Sequence, residues 1–218
     1  MKENQNNKMS LSGKIVSKPK YAYEIQGEGF FEFDVAVERL SGAIDVIPAT
    51  ISERLIISKR IDVGETIYAV GQFRSFNKIE DGKSRLKLTA FIQELLHVTD
   101  SENTNSIMLN GYVCKPPTYR TTPSNREIAD VMIAVNRAYN KSDYIPCVIW
   151  GRNARFASTL ALGDMIAVSG RIQSREYQKQ LSETESKTMT AYEVSVSRIE
   201  LCCGLQNVDL NEDFNKCG

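Results

Sequence analysis

Residues 9–50 lie on residues 107–148 at an offset of 98 with no gap. Leu11, Gly13, Pro19 and Tyr21 fall on Leu109, Gly111, Pro117 and Tyr119. Ala36, Val37 and Arg39 fall on Ala134, Val135 and Arg137, and Asp45, Ile47 and Pro48 fall on Asp143, Ile145 and Pro146. After one inserted residue the match resumes at an offset of 99, with Gly64, Ile67, Gly71 and Ser75 on Gly163, Ile166, Gly170 and Ser174. A repeat of about 100 residues is too long for a solenoid unit and has the size of a whole domain. The 218-residue chain therefore reads as two copies of one fold, residues 1–104 and 105–201, with a short tail at 202–218. A polar stretch from Thr99 to Ser106 fits the boundary between them.

Charge and cysteines narrow the function classes. The chain has 27 Lys and Arg against 27 Asp and Glu, which argues against binding a polyanion by bulk charge alone. The distribution is uneven: residues 105–201 hold 12 basic and 9 acidic residues (+3), residues 1–104 hold 14 and 15 (−1), and the tail is −2. A local basic stripe in the second copy is compatible with these figures. Cys114 and Cys147 read as small buried hydrophobes in strands, and Cys202, Cys203 and Cys217 cluster in the tail. With no Cys-x-x-Cys and one histidine, His97, at a strand end, neither a metal site nor any cofactor is expected. No apolar run approaches the roughly 20 residues that span a bilayer, and Met1–Lys8 lacks a signal-peptide core. The expected location is cytoplasmic, with the nucleoid, and no membrane partner is expected.

Strand patterning gives each copy the same order of elements. In the second, strands are expected at 106–114, 127–137, 143–151, 164–176 and 188–201, with a helix at 152–162 that Gly163 stops. Phe156 and Leu160, four apart, would share one helix face, and residues 178–187 read as a polar loop. In the first, strands fall near 8–17, 29–39, 43–51, 65–76 and 84–98, with a helix near 52–62. Five strands with one helix between the third and fourth is the order of an OB fold. The fold class is thus all-β, two tandem five-stranded Greek-key barrels. Such barrels bind ligands on the faces of strands 2 and 3 and with the loops joining strands 1–2 and 4–5.

Alternation along the strand at 143–151 separates two faces. Ile145, Cys147 and Ile149 point inward; Tyr144, Pro146, Val148 and Trp150 point outward. An outward tryptophan on an amphipathic strand fits a subunit interface or packing under a loop. It also fits a platform on which unpaired bases stack, since every base has a π face. On the next strand Arg171, Gln173, Arg175 and Tyr177 alternate on one face, which reads as a solvated face or as a surface meeting phosphates and bases in turn. Tyr139 is a further stacking candidate. Arg120, Arg126, Arg137, Arg152 and Lys179 are candidate phosphate contacts.

Residues 107–201 resemble the bacterial single-stranded DNA-binding proteins. The segments carrying the resemblance are Met108-Leu-Asn-Gly-Tyr-Val, Tyr119-Arg-Thr-Thr-Pro-Ser, Ile133-Ala-Val-Asn-Arg, Tyr144-Ile-Pro-Cys-Val-Ile-Trp-Gly-Arg and Gly170-Arg-Ile-Gln-Ser-Arg-Glu-Tyr. The resemblance implies base stacking at Tyr144, Trp150 and Tyr177 and near Tyr139, the set that strand parity selects. Family members commonly assemble four such domains, so a two-domain chain is expected to form a homodimer, helped by strand pairing at an exposed barrel edge. They also recruit replication and repair proteins through an acidic tail. Its nearest echo here is Leu210-Asn-Glu-Asp-Phe214.

In the first copy Val46, Ser52 and Lys78 stand where the second has Tyr144, Trp150 and Tyr177. Its outer face keeps Arg74, Phe76 and Phe30, while Phe31 and Phe33 have core parity. Weak binding or a role in assembly is expected of it. The function expected of the whole is sequence-tolerant binding of single-stranded DNA in replication, repair or recombination. Two readings stay open beside it: an assembly or primosome-type accessory module that mainly contacts proteins, and an RNA binder. An enzyme is not expected, because the chain has no Ser-His-Asp set, no phosphate-cradling glycine loop and no clustered metal ligands.

Overall fold

The computed structural model describes residues 6–59, 61–80, 82–96, 104–180 and 186–202. His97, most of the proposed linker, Cys203, Cys217 and the Leu210–Phe214 segment lie outside the described residues. The first copy runs β1 (Asn7–Ile15), β2 (Lys20–Ile25), β3 (Glu28–Glu38), β4 (Ile44–Ser52), α1 (Glu53–Lys59), β5 (Thr66–Glu80) and β6 (Lys83–Leu96). The second runs β7 (Asn105–Val113), β8 (Thr118–Thr121), β9 (Glu127–Arg137), β10 (Lys141–Trp150), α2 (Arg152–Ala157), β11 (Met165–Gln180) and β12 (Ser186–Leu201).

Each barrel closes the same way. β1 pairs with β3 and β5, and β4 runs parallel to β6; β7 pairs with β9 and β11, and β10 runs parallel to β12. The inward residues expected from alternation fill the two interiors: Ile145, Cys147 and Ile149 are buried, as are their counterparts Ile47, Ala49 and Ile51. Burial pushes the Cys147 thiol pKa up, so it is an inert core residue. Cys114 lies one residue past β7, with Sγ donating to the Met132 carbonyl at 3.3 Å.

Several expectations need correction. Each copy has six strands, because the segment read as a loop folds back as β2 or β8 on β3 or β9. These two strands are exposed along their length and carry no alternating apolar signal. Both ends of the loop expected at 178–187 are strand: β11 and β12 pair out to Gln180 opposite Ser186, and β5 and β6 pair out to Glu80 opposite Lys83. Backbone pairing satisfies polar groups that side-chain pattern does not report. The helices are shorter than their apolar pattern suggests. α2 ends at Ala157 because the Ser158 and Thr159 hydroxyls donate to the Arg155 and Phe156 carbonyls at 2.7 and 2.8 Å. Two further amides bond three residues back, tightening the turn. Leu160 thereby turns into the core while Phe156 stays exposed, so the two do not share a face.

Two of the repeated glycines have a steric cause. β5 and β11 each carry a bulge, at Val70/Gly71 and Ser169/Gly170. A Cβ at Gly71 would sit 2.0 Å from the Phe91 carbonyl oxygen, and one at Gly170 would sit 2.1 Å from that of Ser195. Only glycine permits this backbone approach.

The two barrels share one sheet. β1 pairs antiparallel with β7, from Asn7 opposite Leu109 to Leu11 opposite Asn105. Flanking amides extend the ladder, Ser12 to the Thr104 carbonyl at 2.6 Å and Asn110 to the Asn6 carbonyl at 2.7 Å. The edges of β1 and β7 are therefore consumed within the chain. β2 and β8 are the terminal strands of the sheet, and both are short.

A second seam joins the barrels away from this ladder, and it uses three repeated residue types. Asp45, fully buried, accepts from the Ser174 amide at 2.7 Å and its hydroxyl at 3.0 Å, while Arg39 Nε donates to its other oxygen at 2.6 Å. The mirrored set is weaker. Asp143 accepts from the Ser75 amide at 2.7 Å, but the Ser75 hydroxyl instead accepts from the Tyr144 amide at 2.8 Å. Arg137 Nε lies 3.3 Å from Asp143 Oδ2 without hydrogen-bond geometry, leaving both atoms buried and without a hydrogen-bond partner.

The two carboxylates consequently titrate in opposite directions. Burial pushes Asp45 up, but the Arg39 and Ser174 hydrogen bonds outweigh it and hold the carboxyl below its ordinary value. Burial dominates at Asp143 and raises it, against the Ser75 amide and the Arg137 charge. Asp45 therefore contributes stability above its unfolded value near about 4, lost as pH falls. The contribution of Asp143 is present below that unfolded value and is lost as pH rises through the raised folded one. At pH 7, Asp45→Asn should cost about 1–3 kcal/mol in urea unfolding, and Asp143→Asn clearly less. Equal losses would contradict the inequality of the two halves.

Candidate nucleic-acid interface

The outer face of the second barrel is assembled by strand register. Trp150 lies opposite Ile128, which lies opposite Arg120 on β8. In the next row Asp130, Val148, Ser195 and Arg171 adjoin. Further along, Gln173 lies opposite Glu193, Arg175 opposite Ala191 and Tyr177 opposite Met189. The parity expected from sequence thus brings Trp150, Arg120, Arg171, Arg175 and Tyr177 onto one surface. Trp150 is 39% exposed there. Val148 has the outward parity but is only 5% exposed, held between β9 and β12. Gln173 is also buried, because its amide donates to Glu193 Oε1 at 2.9 Å.

Glu193 organises the middle of this face. It accepts from Gln173, whose own carbonyl accepts from Arg171 at 3.3 Å, and Arg175 lies 3.7 Å from it. The guanidinium of Arg175 also sits 5.8 Å from the Tyr177 ring centroid. Two cations and an aromatic ring are thereby held in a row by one acid. Arg120 is tied to Asp130 by a 2.8 Å bond, which raises its pKa and fixes its fork beside the Ile128 row.

Trp150 also borders a cleft of about 620 Å³ lined by Thr121, Asn125, Arg126, Glu127, Gly151 and Arg155. Here the structure joins Trp150 to the expected Arg126 and adds Arg155 and Tyr119, which the candidate set omitted. Arg155 Nε donates to both Glu127 oxygens at 2.8 Å, and the Tyr119 hydroxyl donates to the same carboxylate at 2.6 Å. Tyr119 belongs to the quoted Tyr-Arg-Thr-Thr-Pro-Ser segment, so a signal for it was present.

Other candidates are dispersed. Tyr139 stands on the turn between β9 and β10, 90% exposed and with φ of 59°. Asn140 beside it is also left-handed, at φ of 54°, so the tight hairpin turn accounts for the backbone of both residues. Tyr144, exposed, lies at the seam through its amide bond to Ser75. Arg137, another candidate phosphate contact, stands beside Asp143 at that seam with its side chain 27% exposed. Arg152 is exposed as the first residue of α2 and lines neither groove.

A larger groove of about 860 Å³ runs between the two long arms. Tyr177 and Lys179 line it from the β11–β12 arm, and Phe76 and Lys78 from the β5–β6 arm. Lys18, Lys20, Lys83 and Lys87 also line it, against Glu32, Asp34 and Glu80. Glu80 is held by Lys87 at 2.9 Å, which lowers its pKa. Most of this basic lining comes from the first copy. Its net charge of −1 concealed a local concentration of lysines. Arg74 lies on the outer face of the first barrel, its guanidinium 3.5 Å above the Phe91 ring.

Among the described residues no group of three His, Cys, Asp or Glu is placed to hold a metal, and no helix is long and apolar enough to cross a membrane.

The model of the single-strand binding protein family matches residues 104–202. A single-stranded DNA-binding protein of Staphylococcus aureus (strain COL) is 39% identical over 83 residues, covering 35% of this chain and 50% of the relative. One from Oceanobacillus iheyensis is 34% identical over 103 residues, covering 44% of this chain and 62% of the relative. The chain thus spans half to about six-tenths of the length of these curated relatives. The crystal structure of the wild-type single-stranded DNA binding protein from Thermus aquaticus is alike over 97% of this chain and 96% of that one. The TM-score is 0.67 at 18% identity, a likeness of fold across both barrels. Residues 104–202 are thus similar to the single-strand binding protein family, and a second barrel of the same fold precedes that domain.

Proposed function

We propose that the protein binds single-stranded DNA with little sequence preference and breaks no bond. The observation that carries this reading is the outer face of the second barrel, where exposed Trp150 and Tyr177 share one surface with Arg171 and Arg175. Stacking accepts any base and demands unpaired ones, while guanidiniums follow the phosphates. The names of the relatives accord with this, and a role in replication, repair or recombination follows from the substrate. Partners beyond DNA would be proteins of those processes.

Trp150 is the single tryptophan of the chain and reports from the site itself. Oligo-dT should quench its emission, duplex of equal length should compete poorly, and affinity should fall as salt rises through counterion release. Trp150→Ala should weaken binding by about 1–3 kcal/mol. Equal affinity for duplex, or unchanged emission together with unchanged affinity in the variant, would contradict the reading. Competition with RNA of the same base order separates DNA from RNA preference.

We also propose that the chain forms a homodimer of four barrels. Since β1 and β7 use each other's edges, the contact would be made by a sheet face. The outer side of the six strands β6-β5-β1-β7-β11-β12 offers exposed Leu96, Met108, Tyr112 and Met165 flanking the small Ser10 and Ser106. Light scattering at micromolar concentration should give twice the chain mass, and Met108→Glu should lower it. A monomeric mass for the unmodified chain would refute the dimer.

A further inference from the structure

The first barrel lacks the aromatic residues of the second at matching positions, yet its outer face is the more aromatic of the two. Row by row, Arg120, Ile128 and Trp150 are matched by Tyr23, Phe30 and Ser52. In the next row Asp130, Val148, Ser195 and Arg171 are matched by Glu32, Thr50, Phe91 and Gln72. The tryptophan position has become a buried serine, and aromatic rings have appeared on the strands to either side. They form one cluster. Tyr23 stacks on Phe30 with centroids 5.2 Å apart and planes at 21°, and Phe30 lies 5.7 Å from Phe91. Gln72 Oε1 accepts two bonds from Arg74, at 3.0 and 2.8 Å, and holds the guanidinium over Phe91.

Charge changes in the same direction. On β5 the arginine and glutamine of β11 have exchanged places, since Gln72 and Arg74 stand for Arg171 and Gln173. Opposite Arg74 lies Thr89, where the second barrel has Glu193 opposite Gln173. Gln72, Arg74, Phe91 and Thr89 together carry +1, whereas Arg171, Gln173, Ser195 and Glu193 sum to zero. Arg137 approaches from the second barrel. Burial first, and then the charge of Arg137, lower the Arg74 pKa, with Asp143 opposing. Arg137 is ion-paired with the buried Asp143 at 3.3 Å, and two guanidiniums beside an aromatic cluster suit a phosphate next to stacked bases.

We propose that the first domain carries a second single-strand site, in which Tyr23, Phe30 and Phe91 stack bases and Arg74, with Arg137 from the second domain, holds phosphate. The site rests on the single-strand reading of the second domain but uses none of its residues except Arg137. It is transposed: the rings come from β2, β3 and β6 instead of β4. The weak binding expected from the loss of aromatics at Val46, Ser52 and Lys78 is replaced by binding at other positions.

The full chain tests this with the reporter moved. In the Tyr23→Trp, Trp150→Phe chain, oligo-dT long enough for two domains, at about 4–16 nucleotides each, should change the emission. With Trp150 retained, Tyr23→Ala and, separately, Arg74→Gln should leave the Trp150 response to short oligo-dT intact. Each should reduce the nucleotides occluded per chain at saturation towards half. Unmoved emission from the relocated reporter, or an unchanged occluded length in both variants while Trp150 still responds, would overturn the second site. Absence of a Trp150 response in the unmodified chain would overturn the single-strand reading itself, and this site with it.

Discussion

The antiparallel pairing of β1 with β7 is the contact on which the rest of the molecule depends. It turns two barrels into one sheet and fixes the angle at which their outer faces meet. A flexible tether between domains leaves the path of a bound strand open. Here a backbone ladder, reinforced by the Arg-Asp-Ser contacts at the seam, joins the two faces directly. The arms then stand side by side, and the groove between them draws its lining from both copies. Because Arg39, Asp45 and Ser75 recur as Arg137, Asp143 and Ser174, the seam has an approximate two-fold design. Its two halves differ in hydrogen bonding, and so in what each contributes at neutral pH.

Duplication freed the two outer faces to diverge while the interiors stayed alike. The second face keeps a tryptophan flanked by arginines and spends a glutamate on ordering them. The first has no tryptophan, a denser set of phenylalanine and tyrosine rings, and an arginine laid on one of them. Both solutions place π surface beside guanidinium, which is what a sequence-tolerant site for unpaired bases requires. They differ in which strands supply the rings. Comparing matched positions between the repeats passes over these rings, whereas comparing matched surfaces brings them out.

Much of this was legible in the sequence. Period-two alternation located the inward faces, and Ile145, Cys147 and Ile149 are buried where it placed them. The outward placement of Trp150 and Tyr177 follows from the same parity. What escaped has physical causes. β2 and β8 are exposed edge strands, so no buried face imposed a pattern on them, and Tyr23 went unnoticed with β2. Phe91 has outward parity, but its match with Ser195 is visible only in the sheet, because the repeat loses register along the arms. Val148 and Gln173 point outward and are still covered, the first by neighbouring strands and the second by Glu193. That Arg137 stands at the seam beside the buried Asp143 is a long-range feature, which strand pattern does not report. The lysines of the groove were hidden by averaging charge over a whole domain.

The central claim is that one strand of DNA lies across two unequal faces of a single rigid body. Photocrosslinking with oligo-dT carrying a crosslinkable base, followed by mapping of the modified peptides, tests it most directly. Adducts should appear on the second face around Trp150 and Tyr177 and on the first around Tyr23, Phe30 and Phe91, with none on the outer side of β1 and β7. Adducts confined to one domain, or concentrated on the β1–β7 side of the sheet, would contradict the account.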